Sequence, residues 1–92
     1  MPVLSEKAVA AKLHLVPGWK IEEGQLVRDF SFANFIQAME YVNRVAELAE
    51  GAGHHPDIDI RYNKVHLALV SHDAGGLTER DFDVATAIDS IQ

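Results

Sequence analysis

Ninety-two residues suffice for one domain, 1–92, and 48% hydrophobic with 24% charged residues is a globular composition, not a disordered one. There is no cysteine, which excludes disulfide bracing, and the net charge of −6 with eight scattered Lys and Arg argues against direct nucleic-acid binding. No apolar run approaches the ~20 residues of a membrane span, and residues 1–12 lack the pattern of a signal peptide, so the cytoplasm is the expected compartment. A chain this short buries roughly two-thirds or less of its surface. Association with further copies is therefore an expected source of buried area.

In chain order, Ser5 is a helix N-cap, and Leu4, Ala8, Ala11 and Leu15 recur at helical spacing before Pro17-Gly18 ends the element. Two strands follow, Trp19–Glu22 and Gln25–Phe32, joined by the turn Glu23-Gly24. Leu26, Phe30 and Phe32 share one side of the second strand, but Arg28 interrupts them, which predicts a partly buried or edge strand. A long helix from about Ala33 to Glu50 carries Phe35, Ile36, Met39, Val42, Ala46 and Ala49 as an apolar stripe. Val45 and Leu48 widen the stripe enough for a core and a partner helix.

The segment Gly51-Ala52-Gly53 stops that helix. Asp57–Tyr62 and Val65–Ser71 alternate as strands around Asn63-Lys64, and a Gly-rich loop covers 73–77. Thr78 and Asp81 form a capping pattern for a last helix with Phe82, Ala85, Ile88 and Ile91 inward. The order α-β-β-α-β-β-α with short turns predicts an α+β fold: a four-stranded antiparallel sheet with three helices on one face.

Four of the five histidines lie between His54 and His72. If Tyr62 and Val65 flank the hairpin turn, His55 stands opposite His72, and His54 opposite Asp73. Both histidine segments would then meet at the open end of the hairpin, beside two loops. Imidazole takes both protonation states near neutrality, so such a cluster suits general acid–base chemistry. His66 is six residues from His72, about 20 Å along a strand, and is read as structural. His14, near the end of the first helix, is also read as structural. Metal binding is disfavoured. There is no H-E-x-x-H motif, and the adjacent His54 and His55 point to opposite faces of a strand. A nucleophilic triad and a phosphate loop also lack their patterns.

The spacing of Glu50, His54-His55-Pro56, Tyr62, His72 and Asp81 resembles the signature of the pterin-4a-carbinolamine dehydratases. The runs Tyr62-Asn63-Lys64-Val65-His66 and Gly76-Leu77-Thr78-Glu79-Arg80-Asp81, and the Gly18-Trp19 pair, extend the resemblance over nearly the whole chain. It implies loss of water from 4a-hydroxytetrahydrobiopterin to give quinonoid dihydrobiopterin, recycling the cofactor of aromatic amino acid hydroxylases. The pterin is the substrate, and no metal or other cofactor is implied.

By that resemblance His54 and His72 are the acid–base pair and His55 chiefly binds the pterin. Pro56 shapes the pocket wall, Glu50 orients an imidazole, and the loop from Asp73 offers backbone groups to the pterin's amide edge. Trp19 lies near the pocket or in the core, and Asp81 is read as a helix-start residue. The family also implies a homodimer or homotetramer. Some relatives bind a homeodomain transcription factor or act in rubisco assembly, so a non-catalytic protein-binding module on the same fold is the alternative.

Overall fold

A computed structural model describes residues 2–91, so the termini of the expected 1–92 domain, Met1 and Gln92, lie outside the described residues. Ser5 accepts a hydrogen bond from the amide of Ala8 and opens α1 (Glu6–Leu13), which ends at His14. This is earlier than Pro17 would impose, and it changes the packed face. Leu4, Val9 and Leu13 pack against the core and Val16 is buried, whereas Leu15 is 74% exposed. Leu15 lies beyond the helix, where helical spacing no longer places a side chain.

Strands β1 (Lys20–Glu22) and β2 (Gln25–Ser31) form the first hairpin. Helix α2 (Phe35–Ala52) starts at Asn34, whose side chain accepts from the amide of Gln37, and stops at Gly53, whose φ of 66° is the left-handed cap that glycine tolerates. Strands β3 (Asp57–Arg61) and β4 (Lys64–Leu69) form the second hairpin, and α3 (Glu79–Asp89) closes the chain. The sheet order is β1-β2-β4-β3, antiparallel throughout, and the three helices cover one face. The expected α+β architecture and element order are the observed ones.

Leu26, Val65, Leu67 and Leu69 point from the sheet into the core and meet Ala38, Tyr41, Val42 and Val45 of α2 and Phe82, Ala85 and Ile88 of α3. Each buried Leu or Ile in this layer contributes about 1.5–3 kcal/mol relative to exposure. Only part of the expected α2 stripe is used inward. Phe35 and Ile36 remain exposed. Among the described residues no helix is long and apolar enough to cross a membrane.

One sequence expectation needs correction and one resolves to a single alternative. β2 is the partly buried strand of the two alternatives, set one in from the edge between β1 and β4. Arg28 is accommodated there because it donates to Asp89 at 2.7 Å and lies over the Phe30 ring at 4.8 Å from its centroid. The second hairpin turns at Tyr62-Asn63 instead of Asn63-Lys64, so Arg61 pairs with Lys64 and Ile60 with Val65. Asn63 sets this turn by donating through Nδ2 to the carbonyl of Phe32 and accepting from its amide. Tyr62 is left exposed at φ 54°. The pairing changes by two residues, Ile60 rather than Tyr62 standing opposite Val65, so each side chain keeps its face. Continued past the strand ends, the pairing sets His54 across from Ser71, and no longer His55 across from His72.

Candidate active site

The start of α3 gathers the site. Thr78 caps the helix by accepting from the amide of Arg80, and Asp81 Oδ2 accepts from the amide of Thr78 at 2.9 Å. The expected capping pattern is thus formed. The same oxygen accepts from Ser71 Oγ at 2.9 Å, and the Ser71 and Thr78 hydroxyls pair at 2.8 Å. The other carboxylate oxygen, Oδ1, takes Nε2 of His54 at 2.5 Å. Ser71, Thr78 and Asp81 have no exposed surface, and the His54 side chain is 11% exposed. A carboxylate only accepts, so His54 donates through Nε2–H, and Nδ1 carries the lone pair of its neutral form.

Two chain segments reach this point by different routes. After Gly53 the amide of His54 still bonds to the carbonyl of Ala49, which turns His54 toward α3. Pro56, two residues on, is buried. His55 faces the other way and bonds through Nε2 to Glu50 Oε1 at 2.7 Å, both side chains being exposed. From the other side, β4 leads into Ser71. The amides of Ala74, Gly75 and Gly76 all turn onto the carbonyl of Ser71, with Gly75 at φ 83°.

His72 sits on this loop, exposed, and its imidazole makes no hydrogen bond with a described residue. Asp73, also exposed, takes NH2 of Arg80 at 2.7 Å. That hydrogen bond holds the Asp73 carboxyl below the usual carboxylate range.

The structure therefore brings the His54 and His72 segments together through Asp81 and Ser71, and Glu50 to His55. Trp19 stands apart from this network. It is buried in the core, and its indole N–H donates to Asp89 at 2.8 Å. Asp81 is the helix-start residue that its capping pattern predicts, and it is also the acceptor that holds His54, a second contact which the helix-start reading does not foresee. Its place in the signature spacing was the available signal, because a helix cap alone does not require a histidine partner. Three surface clefts of about 400–460 Å³ lie elsewhere, one of them over Asp29, Asp59 and His66 on the open face of the sheet. None of the three is lined by His54, His55 or His72.

The family model described as pterin 4 alpha carbinolamine dehydratase matches residues 2–91. The chain belongs to that family. A protein of Acidobacterium capsulatum with the provisional name pterin-4-alpha-carbinolamine dehydratase is 56% identical over 91 residues, covering 99% of both chains. One of Chloroflexus aurantiacus, provisionally named in the same way, is 59% identical over 91 residues, covering 99% of this chain and 98% of its own. A crystal structure from Brucella melitensis, described as a transcriptional coactivator/pterin dehydratase, superposes with a TM-score of 0.91 at 30% identity, covering 97% of each chain. In this dehydratase-family chain the buried carboxylate does two jobs. It closes the capping box of α3, and it fixes the tautomer and direction of one histidine.

Proposed function

We propose that the chain dehydrates 4a-hydroxytetrahydrobiopterin to quinonoid dihydrobiopterin by histidine general acid–base catalysis. The observation that carries the reading is the buried Asp81, which holds His54 at 2.5 Å and also anchors Ser71, the residue before His72. Elimination needs one proton delivered to the 4a-hydroxyl and one removed from N5. As the C4a–O bond breaks and water departs, the N5–H electron pair forms the C4a=N5 bond. One imidazolium and one imidazole exchange protonation states in a turnover, so His54 and His72 suffice as the pair. Each such group typically contributes about 10²- to 10⁴-fold.

His55, steadied by Glu50, binds the pterin, and Pro56 backs the pocket. The amides of residues 74–76 are spent on Ser71, and the carbonyls of His72 and Gly76 accept from Gly75 and Ser71, which leaves the carbonyls of Asp73, Ala74 and Gly75 to a ligand. These suit the N–H donors of the pterin's amide edge. Trp19 is assigned to the core. No metal or further cofactor takes part.

In the cell the reaction recycles the pterin of an aromatic amino acid hydroxylase in the cytoplasm. The working form is a homodimer or homotetramer, for which the exposed Phe35 and Ile36 on α2 supply apolar surface. The Brucella relative's description as a coactivator supports a second reading, a protein-binding role on the same fold. The test is the ultraviolet absorbance of carbinolamine dehydration with and without purified protein. Acceleration above the spontaneous rate is expected. A folded chain without acceleration overturns the enzymatic reading and leaves the binding role.

A further inference from the structure

Arg80 is poorly placed for stability. It stands in the first turn of α3, where the helix dipole disfavours a cation. Its Nε is buried without a hydrogen-bond partner among the described residues, a situation that native structures seldom tolerate. The ion pair that it makes ends on a carboxylate whose side chain is 70% exposed, and such pairs add little to stability. What the guanidinium does instead is grip Asp73, the neighbour of His72. The base of the 72–75 loop is fixed by Ser71, but among the described residues its tip has no other side-chain bond.

We propose that Arg80 is a positioning residue for His72, its grip on Asp73 fixing the loop tip and hence where the imidazole stands. This inference rests on the dehydratase reading above. The depressed carboxyl of Asp73 agrees with a standing bond to Arg80. A placement error of ~1 Å can cost on the order of 100-fold in rate, so a partly loosened loop is expected to cost about tenfold.

The test compares wild type, Arg80→Gln, Arg80→Lys and the exchanged pair Asp73→Arg/Arg80→Asp. The readouts are carbinolamine dehydration, urea unfolding, and amide hydrogen exchange at Ala74 and Gly75. Arg80→Gln is expected to lower kcat about tenfold with KM within about twofold, to speed exchange at both amides, and to leave the unfolding midpoint nearly unchanged. Lysine and the exchanged pair are expected to recover most of the rate and the protection. Wild-type kcat and exchange in Arg80→Gln would overturn the proposal, as would a loss of rate matched by a loss of folded protein. Absence of acceleration by the wild type would instead sink the dehydratase reading. The exchange data then decide alone: unchanged protection overturns the positioning role, and loosening reversed by lysine supports it.

Discussion

His54 and His55 are adjacent in sequence and both bond to a carboxylate, yet the two attachments differ in kind. Asp81 is buried, accepts from three donors, and belongs to the first turn of a core helix. Glu50 is exposed, lies in the last turn of a helix, and makes one side-chain bond to an exposed ring. A hydrogen bond to a buried charged group is strong and costly to break, whereas an exposed ion pair competes with water and is worth little. The first arrangement fixes a histidine in one tautomer and direction. The second leaves its histidine free to adjust to a ligand. Acid–base work fits the former and binding fits the latter.

That contrast can be broken at several points. The largest effect is expected from His54→Ala, which should lower kcat about 10²- to 10⁴-fold. Stopped-flow dehydration measures it, and His55→Ala should act mainly on KM. Next, Asp81→Ala opens the capping box, leaving the Thr78 amide and His54 Nε2 without their acceptor and Ser71 with Thr78 alone. Urea unfolding should show a loss of about 2–4 kcal/mol. Glu50→Gln should leave stability within about 0.5 kcal/mol of wild type while raising KM a few-fold in steady-state assays.

The smallest effect concerns pH. Asp73 is held below the usual carboxylate range by Arg80. A depressed carboxyl contributes stability that is present above its unfolded value and lost as pH falls through its folded value. The small stability difference between wild type and Arg80→Gln should therefore vanish over that acidic window. Unfolding midpoints across pH measure it.

Much of the fold was legible because local signals agreed with it: Ser5, the Gly51-Ala52-Gly53 stop and Thr78-to-Asp81 bound the helices, and alternation marked the hairpins. What escaped was tertiary. The hairpin turn slid by one residue because Asn63 bonds to Phe32, thirty-one positions away, which forces Tyr62 into a conformation uncommon for an aromatic residue. Arg28 left open whether β2 was partly buried or an edge, because the partner that settles it, Asp89, lies sixty-one positions along. In the site, the histidine cluster and the Glu50–His55 pair were within reach, since i and i+5 sit across a single cap. The double duty of Asp81 was not, because its bond to His54 spans twenty-seven residues and a capping box already accounts for an acidic residue there.

The most direct test of the central claim is the dehydration rate of His54→Ala and His72→Ala, each compared with the wild type and the spontaneous reaction, and each checked for folding. The account predicts wild-type acceleration and a loss of at least about 100-fold in both variants. Full turnover in both, beside an active wild type, would contradict it.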